Sequence, residues 1–127
     1  MKHQSKQLKS TLNKTLEKFF SEGKTRFYLS EFASEAKTSI HEAENFIIPL
    51  LKEDELEGKL EVRCPNCGKD IEIYRRFIDI PDEIECEICG YRFHKSLEYI
   101  EIILEMKRKF FRARKHLRSR SNRTNYK

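Results

Sequence analysis

Cys64-Pro65-Asn66-Cys67-Gly68 and Cys86-Glu87-Ile88-Cys89-Gly90 contain every cysteine of this 127-residue chain. The two C-x-x-C pairs are separated by 18 residues, the spacing of a tetrahedral four-thiolate zinc site. Two residues between cysteines let one tight turn aim both sulfurs at a single ion. Backbone N–H groups of that turn can point at the same sulfurs. A glycine directly after the second cysteine relieves the turn, because it takes a positive φ without a Cβ clash.

The two stretches are also copies of one pattern at an offset of 22 residues. Glu61-Val62-Arg63-Cys64 aligns with Glu83-Ile84-Glu85-Cys86, Cys67-Gly68 with Cys89-Gly90, and Ile71 with Phe93. Each copy reads as strand, knuckle, strand, and together they give the two-hairpin plan of a zinc ribbon. A redox C-x-x-C opens a helix after a strand, whereas each pair here sits at a hairpin tip. Two disulfides call for a secreted chain, and the polar, lysine-rich start has no apolar h-region, so no signal peptide is expected. His94 lies five residues past Cys89 and off the knuckle, a poor position for a ligand. Cys64, Cys67, Cys86 and Cys89 are therefore the expected ligands of one structural Zn2+. A closed four-sulfur site keeps no position for water or substrate and argues against zinc catalysis. Its role is folding energy, on the order of 10 kcal/mol in small domains.

Composition agrees with a metal staple. Charged residues make up 37% of the chain and hydrophobic ones 38%, which implies a soluble protein with a small core. The longest apolar run, Phe46-Ile47-Ile48-Pro49-Leu50-Leu51, is too short to cross a membrane. Thiolates held for zinc, with no export signal, point to a reducing intracellular compartment: the cytoplasm, or the nucleus in a eukaryote. The net charge of +5 is segregated: Lys107 to Lys127 holds ten lysines and arginines and no acid.

Outward from the cysteines the pattern is helical before them. Residues 5–22 place Leu8, Leu12, Leu16, Phe19 and Phe20 on one face, with Gly23 to end the helix. Residues 25–29 read as a short strand. Ser30 is placed to N-cap a second helix from Glu31 to about Lys37. Ser39-Ile40-His41-Glu42 is a capping box that opens a third. Its apolar positions are Ile40, Ala43, Phe46, Ile47, Leu50 and Leu51, with Pro49 expected to kink the last turn. Residues 59–63 and 70–74 alternate as the first cysteine hairpin; 83–85 and 91–93 form the second. A last, basic helix is expected over 96–117, with Leu97, Ile100, Ile103, Leu104, Phe110 and Phe111 as its apolar stripe. Residues 118–127 have no periodicity and read as a disordered basic tail.

The expected fold is thus α+β: a winged helix-turn-helix fused to a zinc ribbon, with a C-terminal basic helix. Residues 1–58 supply the helical part, 59–95 the wing and ribbon, 96–117 the helix and 118–127 the tail. The first cysteine hairpin is itself the expected wing. In this combination of modules the chain resembles archaeal transcription factor E and its eukaryotic counterpart. The resemblance spans residues 5 to about 95 and is specific at Cys64, Cys67, Cys86 and Cys89. It implies modules that contact other proteins as much as DNA.

Two nucleic-acid surfaces follow. In a winged helix the third helix enters the major groove with its N-terminal residues at base edges, which nominates Ser39, His41 and Asn45. Against that stand six acids between Thr38 and Glu57, with Lys52 the one cation, since phosphate neutralisation needs cations on the docking face. The stronger element is the arm of Lys107, Arg108, Lys109, Arg112, Arg114, Lys115, Arg118, Arg120 and Arg123, interleaved with Phe110, Phe111, His116 and Tyr126. Such an arm supplies salt-dependent affinity for phosphates. It lacks the long apolar face of a membrane-surface helix. There is no glycine-rich phosphate loop, nucleophile elbow or histidine pair at metal spacing, so neither an enzyme nor a small-molecule substrate is expected. The expectation is a non-enzymatic, DNA-associated regulatory protein; the alternative is an adaptor that docks proteins on the same modules.

Overall fold

The computed structural model describes residues 5–113 of a mixed α+β chain. In chain order the elements are α1 (Lys6–Ser21), β1 (Arg26–Tyr28), α2 (Leu29–Glu35), α3 (Ile40–Lys52), β2 (Leu56–Arg63), β3 (Asp70–Tyr74), β4 (Glu83–Glu85), β5 (Arg92–His94), β6 (Ile100–Met106) and α4 (Arg108–Ala113). Short 3-10 turns lie at Phe77–Asp79 and Leu97–Tyr99. The chain divides into two compact units. The first runs to Glu57 and resumes at Leu104; the second is Gly58–Ile103.

α1, α2 and α3 each begin where a side chain satisfies an otherwise orphaned backbone donor. The Leu8 N–H donates to Ser5 Oγ at 3.1 Å, and the Glu42 N–H to Ser39 Oγ at 3.1 Å. α1 ends ahead of Gly23, whose φ is +79°. The second helix starts two residues earlier than the serine reading implies. Tyr28, not Ser30, is its N-cap, and the Tyr28 N–H donates to Glu31 Oε1 at 3.4 Å. Leu29 therefore becomes helical and is buried, a gain of apolar burial that a cap at Ser30 would forgo.

α1 buries Leu12, Leu16, Phe19 and Phe20 as its periodicity requires. The Phe19 ring lies 5.1 Å from Phe27 and 6.1 Å from Phe32, both edge-on, a favoured aromatic geometry. α3 behaves differently from its apolar pattern. Only Ala43 and Ile47 are buried, while Ile40, Ile48 and Leu51 are exposed.

The largest correction concerns the C-terminal segment. As far as Ala113, the single helix expected over 96–117 is replaced by a 3-10 turn, strand β6 and the six-residue α4, and residues 114–117 lie outside the described residues. The stretch Ile100-Glu101-Ile102-Ile103-Leu104-Glu105-Met106 carries three β-branched isoleucines, which pack better on a pleated surface than in a helix. It also has neighbours on both sides. The sheet order is β1-β6-β2-β3. In the first unit the Met106 N–H donates to Thr25 O at 2.8 Å and the Lys107 N–H to Glu55 O at 2.9 Å. The run Ile102-Ile103-Leu104 lacks a strict alternation, so its period alone does not separate strand from helix. Leu97, placed in the helical stripe by sequence, is 76% exposed. Phe110 on α4 is fully buried, 5.5 Å from Phe20 edge-on, and Phe111 stacks on Phe20 at 5.7 Å. Residues 118–127, expected as a tail, lie outside the described residues.

In the second unit β2 and β3 pair antiparallel, Leu60 opposite Tyr74 and Val62 opposite Glu72, with an irregularity between Val62 and Arg63. β4 and β5 form a separate two-stranded sheet, Ile84 opposite Phe93. Val62, Ile80, Ile84 and Phe93 make the small buried core, flanked by Leu60, Ile71, Tyr74, Tyr99 and Ile100. The offset of 22 pairs Val62 with Ile84 and Ile71 with Phe93, and all four positions belong to this cluster. The sequence reading makes the β2–β3 hairpin the whole wing. In the structure β2 has a second neighbour, β6, which is also the neighbour of β1.

Candidate metal centre

Cys64 follows β2 directly and Cys86 follows β4, so each hairpin delivers its first sulfur at the end of a strand. The knuckle backbones are near-identical. The Cys64 N–H donates to Lys69 O and the Cys86 N–H to Tyr91 O, both at 2.9 Å. The Gly68 N–H donates to Cys64 O at 2.9 Å and the Gly90 N–H to Cys86 O at 2.7 Å. Both glycines have φ of +78°, a left-handed conformation that closes each turn and that a side chain would strain.

These two turns bring the four sulfurs together. All lie within 4.8 Å of one another. Cys64 Sγ is 3.6 Å from Cys89 Sγ, and Cys67 Sγ is 3.7 Å from Cys86 Sγ. A regular tetrahedron with metal–sulfur bonds of ~2.3 Å has edges of ~3.8 Å, close to both separations. All four cysteines are free of disulfides, Cys64 and Cys86 buried, Cys67 and Cys89 exposed. The four sulfurs are close enough together to hold one metal ion.

Donors surround the cluster as a thiolate charge requires. The N–H groups of Asn66 and Cys67 point at Cys64 Sγ, at 3.4 and 3.5 Å. The Asn66 side-chain amide donates to Cys89 Sγ at 3.5 Å, linking one knuckle to the other. That contact, with the Tyr91 backbone N–H, brings the Cys89 thiol down to about 6. At Cys67 the Lys69 backbone N–H favours the thiolate, but desolvation and the sulfurs of Cys86, Cys64 and Cys89 outweigh it and raise the thiol to about 11. Four thiolates this close together repel one another, and a divalent metal would relieve that repulsion. Asn66 is the one residue of the centre not nominated from sequence. Its position between the first two cysteines, with a side-chain amide able to donate, is the signal.

The nucleic-acid candidates are placed as follows. Ser39, His41 and Asn45 share the N-terminal half of α3. The Ser39 hydroxyl accepts the capping N–H of Glu42, and Asn45 Nδ2 lies 3.4 Å from His41 Nε2. Glu44 is exposed on the same helix. Lys107 pairs with Asp54 at 2.9 Å and Lys109 with Glu53 at 3.8 Å. Arg108 and Arg112 are exposed on α4. Arg114, Lys115, Arg118, Arg120 and Arg123 lie outside the described residues.

Among the described residues no helix is long and apolar enough to cross a membrane. Compared with known proteins, the chain matches no family model, no curated protein and no solved structure.

Proposed function

We propose that the chain is a non-enzymatic, zinc-stapled winged-helix protein that associates with nucleic acid, DNA above all, and regulates rather than catalyses. The order α1, β1, α2, α3, β2, β6 and the sheet order β1-β6-β2 support the winged-helix reading. In this reading β2 and β6 are the wing strands, and the cysteine hairpins are a zinc ribbon inserted between them. Zinc suits the centre because four thiolates in a near-tetrahedral array favour a soft, redox-silent ion.

The observation that carries the nucleic-acid reading is the run from Lys107 to Lys127, with ten cations and no acid. Its first lysines are engaged with Asp54 and Glu53. Phosphate contact is therefore assigned to the arginines, whose planar fork suits phosphate oxygens. α3 is a weak base reader by comparison. Its candidate polar groups are spent on a cap and on each other, and its exposed face adds Glu44 and two isoleucines.

The test is duplex binding across a salt series by the zinc-loaded full chain. The comparison is a variant with Arg108, Arg112, Arg114, Arg118, Arg120 and Arg123 changed to Gln. Removing one arginine–phosphate pair lowers the log–log salt slope by about 0.9, so removing all six lowers it by up to about 5. Asn45→Ala is expected to change nothing. Binding that survives the six substitutions and discriminates among duplex sequences would refute arm-based recognition.

One observation favours the adaptor reading. Ile40, Ile48 and Leu51 recur along the outward side of α3 and are 47%, 38% and 37% exposed, an arrangement suited to docking another protein. Loss of regulation in a variant with Ile40→Ser and Ile48→Ser, and retention in the arm variant, belongs to that reading alone.

A further inference from the structure

Within the second unit a groove of about 340 Å³ lies between β3 and β4. Ile71, Tyr74, Pro81, Ile84 and Ile88 give it an apolar lining, and Cys86 is the one metal-centre residue that reaches it. Its other lining residues are all carboxylates: Asp70, Glu72, Glu83, Glu85 and Glu87. All five are exposed, and no lysine, arginine or histidine lines the groove among the described residues. Arg92 approaches Glu85 at 3.5 Å from outside.

The carboxylates do not converge on a point. Among the described residues the four cysteines form the one cluster close enough to hold a metal ion. A compact cation is therefore a poor occupant, and an elongated one with several positive charges is a good one. The backbone adds a second requirement. β3 is the last strand of its sheet and β4 has one partner. Each therefore keeps an edge with no strand neighbour among the described residues, a row of N–H and C=O groups ready to pair with an extended chain.

We propose that this groove docks an extended, lysine- and arginine-rich segment of a partner protein, which adds as a strand along β3. Main-chain hydrogen bonds to the edge supply affinity. Alternate side chains supply specificity, cations toward the carboxylates and apolar groups toward Ile71 and Ile84. β3 is the better template because it offers five residues against three in β4. A partner is favoured over the chain's own basic arm because the arm's described start is already paired with Asp54 and Glu53.

The test uses the zinc-loaded full chain and a fluorescein-labelled peptide alternating Lys or Arg with Val, read by anisotropy at low ionic strength. A peptide with Glu in place of the cations is the control. The native chain is expected to bind the cationic peptide and not the control. A variant with Glu72→Lys and Glu83→Lys is expected to bind at least about tenfold more weakly, since like charges across an interface repel. Both positions are exposed, and unchanged metal content shows that the variant is folded. N-methylation of alternate peptide amides is expected to abolish binding. Equal affinity for the charge-reversed variant overturns the site, and full binding of the N-methylated peptide overturns strand addition. If Arg118→Glu with Arg120→Glu and Arg123→Glu strengthens peptide binding, the arm itself fills the groove and the partner assignment is wrong.

Discussion

Removing the metal is the perturbation with the largest expected effect. The buried core cluster of Gly58–Ile103 is Val62, Ile80, Ile84 and Phe93, beside the buried cysteines Cys64 and Cys86. Each such apolar side chain contributes ~1.5–3 kcal/mol on burial, so the four together contribute ~6–12 kcal/mol. A structural zinc site contributes ~10–16 kcal/mol, comparable with that whole core, and typical net domain stabilities are only ~5–15 kcal/mol. Loss of the ion therefore exceeds any plausible reserve, and a unit this small has little else to hold it. With a strong chelator the amide signals of residues 58–103 are expected to collapse toward the unfolded range. The helical circular dichroism of α1 to α3 should largely persist. Native mass spectrometry should find one zinc per chain, and none in a variant with Cys64→Ser and Cys86→Ser. An unchanged amide spectrum for residues 58–103 in metal-free protein would show that the apolar cluster suffices and that the ion contributes far less than this.

Phe110→Ala should destabilise the first unit by ~3–5 kcal/mol, because a fully buried ring packed against Phe20 leaves a cavity. At ~4–8 °C per kcal/mol for a unit of this size, the melting temperature should fall by at least about 12 °C, and a change under about 4 °C would place Phe110 outside the core. Gly90→Ala should cost ~1–2 kcal/mol through the backbone alone, because φ is +78° and a Cβ would meet no atom within 4 Å. Chelator competition should then show metal retention weakened by about 5–30-fold, and unaltered retention would remove the need for a left-handed residue. The Glu35 carboxyl is held below the usual range by the hydrogen bond and charge of Lys18. The stabilisation is present above the unfolded value near 4.3 and is lost as pH falls through the depressed folded value. A carbon-13 titration should show the lowered value returning upward in Lys18→Met, and an unshifted Glu35 in the native chain would contradict the pair.

The cysteine centre was legible because spacing alone constrains it: two knuckles of fixed geometry at one offset leave a single way to converge. The matched positions Val62, Ile84, Ile71 and Phe93 followed from the same offset. α1 was legible because a sixteen-residue element shows its period several times. β6 was not, because its Ile100, Ile103 and Leu104 satisfy helical spacing by coincidence, as does Leu97 in the turn before it. Length and β-branching were the discriminating cues, and they point to a strand. The outward face of α3 was unreadable for a related reason. Ile40 and Leu51 look like core until the positions of α1 and α2 are known. The acidic groove was invisible too, since Asp70 and Glu72 meet Glu83 and Glu85 only once the two hairpins are folded.

The segregated charge of the chain decides which cations are available to a ligand. Lys107 and Lys109 sit against Asp54 and Glu53 with side chains 37% and 55% exposed. Surface pairs of this kind contribute ~0–1 kcal/mol each and weaken with salt. They anchor the start of the arm without consuming it, because the acids near it are few while the cations continue to Lys127. A polyanion that engages several arginines at once releases a counterion at each phosphate. The Glu53 and Asp54 carboxylates offer no such accumulation, so on this reading phosphate outcompetes them once several contacts form together. The carboxylates that remain, on the groove between β3 and β4, then face partners of the opposite sign. On the proposed reading the chain holds a polyanion with one segment and a basic protein segment with another, and neither task requires α3 to read a base.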